Sequence, residues 1–328
     1  MTKTTKEVFE KYQVRKNKKQ KSAFIDYVRG VAEGEGYACK VERGALGARN
    51  IVVGNPDTAK VVYTAHYDTC PVLPMPNFIT PKCFLLYLLY QLLLVGVVMI
   101  LPMVLTLGFL TVGLGVISVL VPIPTDVFYV CTMAVMYGVL ILVIFLIMVG
   151  PANRRTANDN TSGVTTLLDI MTDLPQNLRA DAAFIFFDFE ELGLVGSMSY
   201  AKSHRSEMKD KLLVNFDCVS DGGNFIFALR PGALRYKKAI EAAFASEGEF
   251  SVEVLSKGVF YPSDQACFPC GVGVAALKRS RRLGILYMNR IHTPRDTVYE
   301  EENIAYLVRG ARHLTSALAG KEGDLYLI

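Results

Sequence analysis

Two adjacent carboxylates, Glu190 and Glu191, close the apolar run "AAFIFFDF" (182–189). That run is short and almost continuously apolar, the pattern of a strand covered on both faces. Acids at the carboxyl end of such a strand lie where open α/β sheets place their ligands. Four further polar elements also sit just after an apolar stretch or at the mouth of a helix. They are "AHYDT" (His66, Asp68), "ANDNTSG" (Asp159), "NFDC" (Asp217) and "RIHTPRDT" (His292). Each alone is an ordinary pattern, since acid pairs suit helix starts and an isolated H-x-D is most often a surface loop. Five in order, at successive strand ends, supply two imidazoles and at least three carboxylates. That is a ligand set for a pair of divalent metals, of the nitrogen and oxygen types that suit zinc. Two metals roughly 3.5–4 Å apart can share one water and lower its pKa toward neutrality. A carboxylate beside that water can take its proton and hand it to a leaving amine. Neighbours on a regular strand point opposite ways, so Glu190 and Glu191 serve one site only if the chain bends. Gly193 and the turn into the next helix supply the bend, leaving one Glu to ligate and the other free for proton transfer.

The elements that must position these residues alternate between strands and helices. A helix is expected over 5–35, then strands at "NIVVG" (50–54) and "KVVYTA" (60–65) across an "NPDT" turn. Later come "SGVTTLLDIMTDL" as a helix, "AAFIFFDF" as a strand, "GLVGSMSYAKSH" as a helix and "LLVNFDCVS" as a strand. "GNFIFAL", a helix at 232–246, "GVGVAAL" and a helix at 302–319 complete the series. The alternation predicts an α/β fold, a mostly parallel sheet covered on both sides.

A long apolar stretch interrupts this series. From Cys83 to Gly150 the only charged side chain is Asp126. The segments 84–107 and 127–150 each exceed the roughly 20 apolar residues a membrane crossing takes. His66 and Asp159 must meet, so both ends of the insertion lie on one side of the membrane and the number of crossings is even. Two spans are expected, near 84–107 and 127–149, with 108–122 re-entrant or interfacial. Lys82, Arg154 and Arg155 flank the insertion and favour the cytosolic side. The charged N-terminus shows no signal peptide. Its basic run, Arg15 to Lys21, reads as a solvated helix face or as a contact with anionic headgroups. Seven scattered cysteines suggest reduced thiols, and the Cys267–Cys270 pair reads as structural. The net charge of +4 is too mild for a dedicated nucleic-acid binder. Three parts follow: a basic N-terminal helix at 1–35, a discontinuous catalytic domain at 36–82 and 151–328, and a membrane insertion at 83–150.

The motif series H-x-D, N-D-N-x-S-G, E-E-x-G-L-x-G-S, a strand-end Asp and H-T-x-x-D-T resembles the co-catalytic di-zinc aminopeptidase family of metallopeptidases. That family also holds glutamate carboxypeptidase, glutaminyl cyclase and the catalytically silent transferrin receptor. The resemblance covers 36–69 and 152–319 and implies a zinc-dependent exopeptidase fold with two zinc ions. It implies that Asp159 bridges both metals, that His66 and Asp217 hold one, and that Glu191 and His292 hold the other. Glu190 is then the general base, and Asp68 orients His66. The implied substrate is a peptide cut at its N-terminus. The alternatives are a glutaminyl-cyclase-type acyltransferase using one zinc and a non-catalytic membrane scaffold. Two departures stand out. Gln265 in "YPSDQ" replaces a His common in the family, at a position that is generally not a ligand. The insertion places Asp159 93 positions after His66 (159 − 66), far more than in soluble relatives. Tyr261 and Tyr287 are candidate oxyanion donors, though packing roles suit them better, and His204 and His313 read as surface residues. The chain is thus expected to be a multi-pass integral membrane enzyme with its catalytic domain in the cytoplasm. Oligomeric state, native metal and preferred terminal residue stay open.

Overall fold

The computed structural model describes residues 1–73, 75–120 and 124–321. The N-terminal segment forms two helices, α1 (Lys3–Lys11) and α2 (Lys18–Gly34), where one was expected over 5–35. The break has a local cause. Asn17 Oδ1 accepts from the Gln20 backbone N–H at 3.0 Å, and Gln20 Oε1 accepts from the Asn17 N–H at 3.0 Å. This reciprocal cap starts a helix and excludes residues before it. Val8 of α1 and Phe24, Ile25, Val28 and Ala32 of α2 join the main hydrophobic core.

Among the described residues, nine strands form one mixed sheet: β1 (Cys39–Arg43), β2 (Arg49–Val53), β3 (Val61–His66), β4 (Ala182–Phe187), β5 (Leu212–Phe216), β6 (Asn224–Leu229), β7 (Ser251–Leu255), β8 (Gly271–Arg279) and β9 (Leu286–Tyr287). Their order is β1-β2-β4-β3-β5-β8-β6-β7, with β9 on β8. The central strands β4, β3, β5 and β8 run parallel. Residues of β3, β4 and β5 are buried throughout, as parallel strands covered on both faces require. Alternate residues serve opposite cores. Tyr63, Phe184 and Val214 face the larger one, while Val62, Ile185 and Leu213 face the other. The edge strands β1 and β7, half-buried and polar, escape the apolar signal that reveals the central ones.

The insertion is two helical rods. The first is α3 (Phe84–Val95), a wider π turn (Gly96–Ile100) and α4 (Leu101–Leu120); the second is α5 (Thr125–Val149). The π turn falls just before Pro102, whose ring would otherwise press on the carbonyl one turn back. The piece at 108–122, expected to be re-entrant or interfacial, takes no separate form among the described residues: the helix continues to Leu120, and residues 121–123 lie outside the described residues. Gly108, Gly113 and Gly115 do not break it. A single glycine costs a helix interior only about 1 kcal/mol, so three spread through a long apolar run need not end it. Phe84–Ile117 and Thr125–Val149 are long and apolar enough to cross a membrane by length and composition, and their apolar side chains are mostly exposed. Both ends of the insertion return to one place. Pro71 pairs with Ala152, and the Val72 N–H donates to the Pro151 carbonyl at 2.9 Å.

The sheet is covered by α2, α6 (Gly163–Asp173), α8 (Lys237–Ala243) and α9 (Glu301–Ala319) around the larger core. Tyr200 of α7 (Val195–Ser203) packs into the other. The expected helix at 232–246 is a 3-10 turn (Pro231–Tyr236) followed by α8. Residues 322–328, at the end of the expected catalytic domain, lie outside the described residues.

Candidate metal centre

Three adjacent parallel strands, β4, β3 and β5, end along one edge of the sheet, and His66 at the end of β3 pairs in register with Phe187 at the end of β4. Parallel pairing in register therefore sets His66, the Glu190–Glu191 turn and Asp217 side by side. Asp159 arrives from the segment before α6, and His292 from the loop after β9. All seven residues singled out in the sequence meet here.

Asp159 stands between the two histidines. Its Oδ1 lies 3.3 Å from His66 Nε2, and its Oδ2 lies 3.0 Å from His292 Nε2. Each imidazole also faces a second carboxylate: His66 Nε2 is 3.6 Å from Asp217 Oδ1, and His292 Nε2 is 3.5 Å from Glu191 Oε2. His66 Nδ1 turns to Asp68 Oδ1 at 3.6 Å. Ligand-type atoms gather within 4.8 Å of one another in three overlapping groups: His66, Asp159 and Asp217; Cys70, Asp159, Glu191 and His292; and His66, Glu190 and Glu191.

The turn that carries both glutamates is shaped by Asp68. Its Oδ1 accepts from the Glu190 N–H at 3.0 Å and its Oδ2 from the Glu191 N–H at 3.3 Å. The Glu190 carbonyl then accepts from Gly193 at 2.8 Å and Leu194 at 2.9 Å, with Gly193 at φ 91°. The bend expected after the strand is therefore present, and Asp68 serves it as well as His66.

Charge is concentrated here on largely buried side chains. Desolvation opposes protonation of His66, but Glu190, Asp159, Asp217 and Asp68 outweigh it and hold the imidazole well above its ordinary range. His292 is likewise raised, to about 9, where Glu191 and Asp159 overcome desolvation. Desolvation would raise Asp159, yet the two histidines hold it below the usual carboxylate range. Desolvation lifts Glu191 to about 8, helped by Asp159 and Asp68, and lifts Glu190 well above its range, helped by Glu191, Asp217 and Asp264. Desolvation, with Glu191, Asp159 and Asp296, also pushes up the Cys70 thiol. Among the described residues, Glu191 Oε1 and both oxygens of Asp264 are buried without a hydrogen-bond partner, as is His66 Nδ1. Buried polar atoms are normally paired. Bare carboxylate oxygens grouped with imidazoles fit divalent cations, and the nitrogen, oxygen and sulfur donors present fit zinc.

A set of braces holds the acids in place. Asp296 accepts from the Asn158 and Asp159 N–H groups at 2.8 and 2.9 Å. Asn158 Oδ1 accepts from Ser220 at 2.8 Å and Asp221 at 3.1 Å. Asn160 Nδ2 donates to the Phe216 carbonyl at 3.1 Å, and its Oδ1 accepts from Gly163 at 3.0 Å. The two asparagines of "NDN" thus tie Asp159 to the end of β5. A Cβ on Gly163 would lie 2.2 Å from the Phe216 oxygen, so the motif's glycine is a matter of space. Two braces come from the N-terminal segment and were not foreseen. Lys21 forms a buried ion pair with Asp188, and its ammonium sits 3.8 Å over the Phe189 ring. Arg15 is fully buried; Nε donates to the Tyr67 carbonyl at 2.5 Å, Nη1 reaches Thr161 Oγ1 at 3.4 Å, and its backbone N–H donates to Thr69 Oγ1 at 2.8 Å. Desolvation lowers Arg15 to about 10, opposed by Asp68 and Asp159, so it stays charged at neutral pH. Both ends of the basic run therefore turn into the protein, away from solvent and lipid.

Other singled-out residues have structural partners. Tyr261 donates to the Asp217 carbonyl at 2.9 Å, and Tyr287 packs on Phe78. Gln265 donates to the Tyr261 carbonyl at 2.6 Å and accepts from Asn215 at 3.1 Å, beneath the sheet end. His204 is half-buried, stacked on Tyr200 and 2.7 Å from Glu42, and His313 is exposed. All seven cysteines are free thiols.

Residues 145–311 match the description of peptidase family M28. No curated protein is similar enough in sequence to match the chain. Among solved structures, the glutaminyl cyclase of Porphyromonas gingivalis aligns with a TM-score of 0.57 at 14% identity, over 96% of this chain and 95% of that one. The LapA aminopeptidase of Legionella pneumophila aligns with a TM-score of 0.55 at 12% identity, over 96% and 70%. A leucine aminopeptidase precursor from Bacteroides thetaiotaomicron gives 0.52 at 14%, over 95% and 94%. Identities this low show a shared fold, a mostly parallel mixed sheet of the zinc exopeptidase type. With 167 of 328 residues matched (311 − 145 + 1) and the match running through Asp159, Glu190, Glu191, Asp217 and His292, the chain belongs to peptidase family M28.

Proposed function

We propose that the protein is a membrane-anchored metallo-aminopeptidase that removes N-terminal residues from peptides. The observation that carries this reading is Asp159, which offers one carboxylate oxygen to each of two histidine–carboxylate halves. That arrangement suits two divalent cations, with zinc the default. Asp159 would be shared, His66 and Asp217 would complete one position, and Glu191 and His292 the other. Two such cations supply a Lewis acid and a nucleophile competent at neutral pH. The chain supplies the rest. Glu190, close to His66 and Glu191, takes a proton from the attacking water and returns it to the leaving amine. A carboxyl held well above its ordinary range suits that task near neutrality. Asp68 orients His66 and holds the turn that aims Glu190. The two apolar rods would be the anchor, and the joined ends of the insertion support a domain lying on one side of the bilayer. Lys82, Arg154 and Arg155 at those ends favour the cytosolic side.

The test is a zinc-loaded, detergent-purified chain assayed on free-amine peptides, amine-blocked peptides and peptides beginning with Gln, beside Glu190→Gln. Stepwise release from free-amine peptides only, reduced at least about a hundredfold in the variant, supports the reading. Ammonia released from Gln-first peptides without cleavage would instead favour the cyclase. Two bound metals with no turnover of any peptide would favour a scaffold.

A further inference from the structure

Cys70 lies in the centre beside the proposed ligands. It is 0% exposed, follows His66 by four residues, and its Sγ lies within 4.8 Å of ligand atoms from Asp159, Glu191 and His292. Its loop is fixed on several sides. The Cys70 carbonyl accepts from the Asn153 N–H at 2.9 Å, and Leu73 N–H donates to the carbonyl of His292 itself at 2.9 Å. Asn153 Nδ2 in turn donates to the Thr293 carbonyl at 3.0 Å. Thiol and imidazole are thus held by one backbone network. A second observation points to a cation in the same group. The Glu191 side chain is 7% exposed, and its Oε1 has no hydrogen-bond partner among the described residues. The two halves are also unequal. Around His66 gather Asp159 and Asp217, with Glu190 beside them; around His292 gather Asp159, Glu191 and a sulfur.

We propose that Cys70 is a fourth protein donor to the metal held by Asp159, Glu191 and His292, making that position closed while the His66–Asp159–Asp217 position stays open. The inference rests on the two-metal reading above. Four mixed nitrogen, oxygen and sulfur donors are what a closed zinc position takes, whereas three leave room for a reactant. The open position is the one next to Glu190, where a base is of use. On binding, the thiol proton passes to solvent, the sulfur shares a lone pair with the cation, and nothing is oxidised or reduced. A thiolate is a soft donor, so this position prefers zinc, cobalt or cadmium over manganese or magnesium.

The experiment loads the full-length chain in detergent with cobalt(II), and records metal stoichiometry and the near-ultraviolet spectrum. Two cobalt ions per chain with a sulfur-to-cobalt charge-transfer band, lost in Cys70→Val and Cys70→Ser while two ions still bind, is the expected result. Zinc affinity at one position then falls by about tenfold or more in both variants, and its margin over manganese narrows. Two cobalt ions without the band in the wild type, or a band that persists in both variants, overturns the proposal and leaves the two-metal reading standing. No cobalt bound by folded wild type overturns both. If the Cys70 variants fail to fold, Cys218→Ser and Cys267→Ser should each keep the wild-type band, and its loss in either overturns the proposal.

Discussion

At the scale of single residues, the centre is poised to exchange protons for metal. His292 is raised to about 9, Glu191 to about 8, and His66 and Glu190 lie well above their ordinary ranges. Protons are therefore held more tightly on these imidazoles and glutamates than on free side chains, whereas ligands must be deprotonated to bind. Metal uptake should release more than one proton per chain at pH 7, and affinity should fall as pH drops from 9 toward 6. Titration calorimetry in two buffers of different ionisation enthalpy reads this directly; heats that do not depend on the buffer would contradict it. The strand-end acids and histidines were legible in the sequence because their chemistry is local to short motifs. Arg15 was not: it lies in a run of charges, and its burial comes from contacts with Tyr67 and Thr161, far along the chain. Cys70 was passed over because one thiol among seven has no spacing to single it out. Asp264 sat in a motif read only for Gln265, and its carboxyl, raised to about 7 chiefly by desolvation, shows its character only once folded.

Secondary-structure elements meet the site with almost no spare room. The start of α6 is pressed on the end of β5 so closely that only hydrogen fits at Gly163. Gly163→Ala should push α6 away from β5, displace Asp159 and Asn160, and lower both melting temperature and metal affinity. Gly30→Ala is the matched control. Gly30 lies within α2 with no atom within 4 Å of the added methyl, so stability should rise by about 0.5–1 kcal/mol with metal affinity unchanged. Equal losses in both variants would remove the packing explanation. The elements legible in advance are mostly those with a strong period or a continuous apolar run: β2 to β6, β8, α6 and α9, with α7 also expected. Those missed have mixed signals. β1 and β7 are polar edges, the α1–α2 break depends on one cap, and α4 runs on past Gly108, Gly113 and Gly115, which read as breakers in the sequence.

For the whole molecule, anchoring has a plain readout. If the two rods cross a bilayer, the chain stays in the membrane after alkaline carbonate washing. A protease added to inverted vesicles should then digest the domain, while one added to intact cells should leave it whole. Cleavage from outside intact cells would reverse the orientation, and release by carbonate would remove the anchor. The insertion also sets a schedule for the metal centre. His66 precedes the rods, and Asp159, which faces both histidines, follows 93 residues later (159 − 66). At roughly 5–20 residues per second of synthesis, His66 waits on the order of 5–20 s for that partner. Asp217 and His292 come later still. A loop of this length closes only after its rods have turned back, because Pro71 pairs with Ala152 at their base. During synthesis, then, the nascent chain has no complete position for a cation until its helices have found their place. On the proposed reading, activity would be withheld from any copy whose hairpin has not formed, and the insertion would act as an assembly checkpoint.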